Sequence, residues 1–445
     1  MANLTLRFSN WTITPDARLV HGKEHRRKVG RAEHAVWAPA PERADPVALL
    51  REEDQGRVPE LLAIKYQRMT ADAFSFFRGS AALMAADLAA ARDTGLRVQL
   101  CGDAHVKNLG AYASDEGRLV FDLNDFDETI PGPFEWDIKR MATSMLLGGA
   151  LARSSAAECR AAVLAFMRAY RESMRRYSLM GVLELRRFEV VRGDEKGAIA
   201  NILKKAERRT PEANLRELTV PATHGLRRFH HRPPMRAVSA KTARAVLMSL
   251  ELYRDTLGAG RRLTLDGYRP HDVAFKVVGT GSIGTLDYVI LLYGNGPGDP
   301  LFLQVKQALP SCYAKFIKDA PQYSHQGKRI ADGQYCMQTM TDPFVGWTSI
   351  DGKEFVVRQL ADHKASINPL DLNGRALAEY GMVCGAILAK AHARTGDAAA
   401  IAGYCGNSDK FDKAIAKFAA AYAEQTERDW KAFKRRKSRV LSPES

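Results

Sequence analysis

The segment Cys101-Gly-Asp-Ala-His-Val-Lys-Asn108 sets an Asp and an Asn five positions apart in what reads as a loop. After a short turn, Leu119-Val-Phe-Asp-Leu-Asn-Asp-Phe-Asp-Glu128 reads as an apolar strand that runs out into carboxylates. These residue types in this order suit transfer of a γ-phosphoryl group. That reaction asks the protein for positioning and for cations over the phosphate oxygens, not for covalent chemistry. Asp103 would accept or orient the proton of the attacking hydroxyl. Asn108 would offer Mg²⁺ a neutral oxygen, because that ion prefers hard oxygen donors and keeps several waters. Strand periodicity puts Phe121, Leu123, Asp125 and Asp127 on one side of the second segment. Asp125 is therefore expected as the principal metal ligand, Asp127 as a second and Asp122 as a less favoured substitute. The bland alternative is a surface hairpin decorated with turn-forming Asp and Asn. The spacing and order of the two segments together weigh against it.

A second group of residues lies far along the chain. Ala274 to Gly294 reads as strand, glycine loop and strand, with Gly279, Gly281 and Gly284 in the G-x-G-x-x-G pattern and Ser282 inside it. That pattern commonly opens a helix in a dinucleotide fold. Here it opens a β-branched and aromatic run, which predicts a hairpin tip of the kind that covers phosphates. The turn Asn295-Gly-Pro-Gly-Asp-Pro300 follows, and then Leu301-Phe-Leu-Gln-Val-Lys306, so Lys306 ends an apolar strand where a phosphate-pairing lysine belongs. No Glu stands out as its partner, and Asp332, in the helical stretch Gly327–Gln334, is the candidate.

The segments Phe76–Asp87, Cys101–His105, Phe121–Glu128, Pro133–Arg140, Leu303–Lys306 and Ala391–Asp397 together resemble the uncharacterised bacterial family called domain of unknown function 2252, over nearly the whole chain. The chemical segments also resemble aminoglycoside and choline phosphotransferases, with their His-Gly-Asp-x-His-x-x-x-Asn pattern followed by a hydrophobic strand and an Asp. By position, that resemblance implies Asp103 as base, Asn108 and Asp125 as metal ligands, Asp137 as an acid supporting the loop, and His105 on the family's histidine. It implies ATP and Mg²⁺ as cofactors. Cys101 stands where the first histidine of the pattern would be. The order differs too, because in ordinary kinases the glycine loop and lysine precede the catalytic loop. The expectation is thus an α+β, two-lobed protein-kinase-like fold in circularly permuted order.

Composition sets the outer limits. The chain has 445 residues, 46% of them hydrophobic, with no low-complexity tract or internal repeat. Its longest apolar run, near 141–152, is short of the roughly 20 residues that span a bilayer. The first residues lack the form of a secretory signal, so a cytoplasmic protein with no membrane partner is expected. Six cysteines without a C-x-x-C pair predict reduced thiols, mostly buried. The formal charge of +15 gathers at 25–28, 204–209, 227–232 and 434–439. Such clusters can bind nucleic acid, but solvated faces are the commoner meaning, so that partner is not favoured.

The predicted organisation has four parts. Residues 1–60 form an irregular arm or linker, and 61–265 a mainly helical lobe with the catalytic and metal loops. Residues 266–365 form a small β lobe with glycine loop and lysine, and 366–445 helices packing on the helical lobe. Helices are expected at 71–94, 138–151, 158–177, 241–257, 377–392 and 411–433, with strands at 97–101 and 355–360. His392 reads as a satisfied helix-end histidine rather than a catalytic one; Arg68 and Arg78 could hold phosphate, but pairing with nearby acids is the commoner role of such arginines, so they are left outside the site. The partners expected are a nucleotide and an unidentified small-molecule or protein acceptor. Transfer of AMP, a catalytically silent nucleotide- or nucleic-acid-binding module, and metal-assisted hydrolysis remain as other readings of the same residue types.

Overall fold

The structure, a computed structural model, describes residues 14–114, 116–190, 197–277, 283–360 and 365–440. It is an α+β fold in which every strand pairing among the described residues is antiparallel. One large core is helical and two smaller ones lie on either face of a sheet.

The helical core centres on Phe134–Leu151, which is buried almost from end to end. Ala156–Tyr177 runs against Gly374–Thr395, and glycine lets them approach closely. A Cβ on Gly385 would meet the Phe166 carbonyl, and one on Gly381 would sit 2.9 Å from the Ala162 carbonyl. The long helix Lys410–Val440 adds Phe411, Ile415, Phe418 and Tyr422 to this core, on the predicted helical spacing. Two expectations are corrected. Residues 14–60 are not an irregular arm, because they form the helices Pro15–Glu24 and Pro46–Glu53 and bury Val47, Leu49 and Leu50. Pro46 and Pro59 of the expected linker stand at first helical turns, and ahead of Pro46 the Asp45 carboxylate accepts from the Ala48 amide at 3.1 Å. The helix predicted over 71–94 is two helices, Ala73–Arg78 and Ala81–Ala89, broken at Gly79-Ser80.

The six-stranded sheet runs Gly346–Ile350, Lys353–Gln359, Pro300–Gln307, Asp287–Tyr293, Arg269–Lys276, Met235–Arg236. Strand alternation sorts its side chains. Leu301, Leu303 and Val305, with Ile290, Leu292, Phe355 and Val357, face the helix Ala240–Asp255 and its Val246 and Tyr253. On the other face, Phe302, Val289 and Leu291 are covered by Leu215, Leu218, Phe229 and Met235. The sheet unit thus recruits residues from about 211 onward, and Ala240–Asp255 packs on the sheet, not on the helical lobe. Farther along that second face the sequence turns polar, with Lys276, Asp287, Gln304, Lys306 and Arg358. This polar end roofs the cleft described next.

Candidate functional site

The loop 101–108 is held by buried groups on the helix behind it. The Asp137 carboxylate accepts from the amides of Cys101 at 2.8 Å and Gly102 at 3.1 Å. His392 stands 3.3 Å from the same carboxylate and shares a 2.8 Å hydrogen bond with the Tyr170 hydroxyl, so it is a satisfied core histidine. Gly102 has φ +89°, and a Cβ there would meet the Glu128 carbonyl, so the turn that presents Asp103 needs glycine. Arg140, fully buried, donates from Nε to Asp103 Oδ1 at 2.7 Å, stacks 4.2 Å over the Phe77 ring and donates to the Phe77 carbonyl at 2.9 Å. Although burial opposes ionisation, Arg140 and His105 hold the Asp103 carboxyl well below the usual carboxylate range. His105 lies 3.4 Å from the other oxygen of Asp103 and 3.5 Å from Arg78 Nε. Burial keeps its imidazole in the neutral form. Asn108 donates its amide to the Asp103 carbonyl at 2.9 Å, which leaves its Oδ1 buried with no hydrogen-bond partner.

The strand Leu119–Leu123 stops before the carboxylates, and Asp125 and Asp127 leave it on a loop that still turns both toward Asp103. Burial, and then the neighbouring Asp127, push the Asp125 carboxyl up. Asp127 forms an ion pair with Lys306, which is buried on the strand Pro300–Gln307. Burial opposes charge on both partners, yet their mutual attraction raises the Lys306 ammonium and lowers the Asp127 carboxyl. Two segments far apart in the chain therefore meet at one point. Beside Lys306, Asp287 accepts from Gln304 at 2.7 Å while its Oδ1 is buried without a partner, and Gln304 accepts from Arg358 at 3.0 Å.

Two expected residues lie elsewhere. Asp332 does not pair with Lys306. It sits half exposed on the helix Gln326–Met337 in an ion pair with Lys328, one helical turn away on the same face. The residue of that helix that reaches the site is Arg329, which donates to the carbonyls of Thr129 at 2.6 Å, Asp127 at 2.8 Å and Leu309 at 2.8 Å. Asp122 is buried in an ion pair with Lys390 beneath the hairpin, away from the cleft. Of the glycine loop, Gly279, Gly281 and Ser282 lie outside the described residues. Gly284 is described, with φ +99° and a Cβ position 3.0 Å from Arg57.

Asp103, His105, Asp125 and Asp127 line one cavity of about 110 Å³ together with Arg57, Lys65 and Arg78. None of these three cations is placed in the site by the sequence reading, and neither are Arg140, Arg329 and Arg358. The one available signal is Arg140, a charge inside the apolar pattern of a buried helix. Among the described residues, no group of three or more His, Cys, Asp or Glu side chains is gathered to enclose a metal ion. What the site offers is Asp125 and Asp127 on the cavity wall and the orphaned oxygen of Asn108, whose amide is bonded to the Asp103 carbonyl. That set fits Mg²⁺, which is usually bound through one or two carboxylates plus substrate phosphates.

Among the described residues, no helix is long and apolar enough to cross a membrane. Neither a curated protein nor a solved structure matches the chain. The family of uncharacterized proteins conserved in bacteria, DUF2252, matches residues 57–436, which include Asp103, Asp125, Asp127 and Lys306 and most of the final helix, and the chain belongs to that family.

Proposed function

We propose that the protein is an ATP- and Mg²⁺-dependent phosphotransferase acting on a hydroxyl-bearing acceptor, with a protein-kinase-like fold in circularly permuted order. What carries the reading is the Lys306–Asp127 ion pair, which joins the end of the strand Pro300–Gln307 to the loop bearing Asp125, in a cleft with Asp103, whose carbonyl holds the amide of Asn108. The lysine strand is followed by the helix Gln326–Met337 packed on the sheet, the order in which a kinase small lobe sets lysine and helix. Chain order is free to differ because function depends on site geometry.

In this reading Lys306 contacts the α- and β-phosphates once Asp127 shares it with the nucleotide. Asn108, Asp125 and Asp127 would hold Mg²⁺, which offsets charge on the phosphate oxygens. Asp103 orients the acceptor hydroxyl. Its oxygen bonds to the γ-phosphorus, the bond to the β-bridging oxygen breaks, ADP leaves, and the hydroxyl proton departs by way of Asp103. Arg140 makes Asp103 a weak base, which suits a loose transition state in which proton transfer comes late.

The test is calorimetric titration of ATP·Mg²⁺ into wild type, Lys306→Ala and Asp125→Ala, each checked for a native melting transition. Binding in the micromolar range that both substitutions weaken by roughly tenfold or more is expected. No binding by folded wild type would sink the proposal. Binding without turnover in any acceptor screen, unchanged by Asp103→Asn, would point to a silent nucleotide-binding protein. Acceptors labelled with AMP would make the reaction nucleotidyl transfer.

A further inference from the structure

The wall of the cleft opposite the sheet comes from the N-terminal helices. Leu50 and Glu53 belong to Pro46–Glu53, Arg57 to the loop after it, Lys65 to Pro59–Met69, and Arg78 ends Ala73–Arg78. The acids of this wall are engaged. Glu53 takes Lys315 at 2.6 Å, and Asp54 is shared by Lys65, Tyr66 and Arg57, the last at 3.6 Å. Asp72 caps its own helix through the Ser75 amide at 2.7 Å and hydroxyl at 2.8 Å. The wall is also fixed to the sheet, because Arg57 donates to the Ile283 carbonyl at 3.0 Å and the Val58 amide to the Gly284 carbonyl at 2.6 Å. The cavity beside Asp103 is thus closed by a pinned surface on which Arg57 and Lys65 share Asp54, while Arg78 reaches to within 3.5 Å of His105.

We infer that the acceptor is a small hydroxyl compound carrying an anionic group, a phosphate or a carboxylate, which Arg78 holds with Lys65 and Arg57 around it while its hydroxyl turns to Asp103. The inference rests on the phosphotransferase reading and names its substrate class. A guanidinium suits either anion, through paired N–H donors. Aminoglycosides and choline are cations and would meet like charge here. The wall also explains how a negatively charged acceptor tolerates a site with Asp103, Asp125 and Asp127. Its anion lies on the cationic side, and only the neutral hydroxyl faces the acids.

The experiment uses the full chain saturated with the non-hydrolysable imido analogue of ATP and Mg²⁺, into which inorganic phosphate and, separately, acetate are titrated. Wild type is expected to bind at least one of them. Arg78→Gln should weaken that binding tenfold or more and Arg78→Lys less, with affinity for the ATP analogue held within twofold and melting temperatures alike. Phosphate binding alone would mark a phosphorylated acceptor, and acetate binding a carboxylated one. Neither anion binding to the loaded wild type, or equal binding to Arg78→Gln, would overturn the inference while leaving nucleotide binding intact. Phosphate that binds only the nucleotide-free protein would also overturn it, and would give Arg78 to the nucleotide's own phosphates. Failure of the analogue to bind wild type would remove the phosphotransferase reading and this inference with it.

Discussion

At the residue scale the chemistry turns on carboxylates placed in contrasting surroundings. Asp103 lies against a buried guanidinium and stays ionised, whereas Asp287 is buried beside Lys306 and its carboxyl is pushed up from 3.8 to about 6. Burial is the main cause, and the nearby cations Lys306 and Lys276 only partly offset it. A carboxyl raised in the folded state holds its proton more tightly there than in the unfolded chain. Its contribution to stability is full below about pH 4 and is lost as pH rises through about 6. Asp287→Asn should therefore flatten the stability profile between those values and gain up to about 3 kcal/mol above pH 6. Urea unfolding at several pH values checks this, and a variant curve parallel to wild type would refute it. For Asp103 the expectation is different. Asp103→Asn should lower turnover by roughly 10²–10⁴ with ATP affinity nearly unchanged. Because the wild-type carboxyl lies well below the usual range, no acid limb from Asp103 should enter the rate profile between pH 5 and 8.

At the element scale the site is a set of loops clamped from behind by helices. The helix Gln326–Met337 holds the loop 125–129 through Arg329, whose guanidinium is almost fully buried and donates to three carbonyls. Arg329→Met should cost about 3 kcal/mol or more, since it leaves those buried acceptors unpaired. It should also weaken ATP·Mg²⁺ binding tenfold in protein that is still folded, because Asp125 and Asp127 lose their seat. Calorimetric titration below the melting range measures that, and unchanged affinity would mean that the loop holds its shape without the clamp. Here the limits of the sequence become clear. Asp103, Asn108, Asp125 and Lys306 are legible because their meaning lies in local spacing, around a turn or along a strand. Arg329, Arg78, Arg140 and Arg358 act across tertiary contacts, and a helical or strand arginine carries no local mark of which carbonyl or carboxylate it will meet. Hence the helix expected to reach Lys306 through Asp332 instead reaches the Asp127 carbonyl through Arg329. The capped helices before residue 60 were masked by their own start signals, since Pro and Asp mark both linkers and first turns.

At the scale of the whole molecule, the positive charge is partly structural. Arg26 donates to the Tyr404 carbonyl at 2.9 Å, Arg227 to Thr219 Oγ1 at 2.8 Å and Arg436 to Asp45 at 2.8 Å, so three of the four basic clusters spend cations on their own fold. The cleft, by contrast, lies between a helical core and a sheet with cores of its own, and the two meet through Lys306 and Asp127 and through the Arg57–Ile283 tie. A nucleotide held by both sides would bind the native arrangement and not the unfolded chain. At a hundredfold excess over its dissociation constant it should therefore add about 2.7 kcal/mol to stability. Differential scanning calorimetry with the imido analogue and Mg²⁺ should show a higher melting temperature for wild type and for Arg78→Gln, and at most about half that rise for Lys306→Ala, whose affinity is tenfold or more lower. A chain of this size with separate cores need not melt in one step. If the helical and sheet cores unfold separately, the earlier transition should move upward, because that step releases a ligand held by both sides, while the later one, which melts after release, should hardly move. A shift of the later transition alone would place the nucleotide within that one core and break the link between Lys306 and the Asp125 loop on which the proposed chemistry depends.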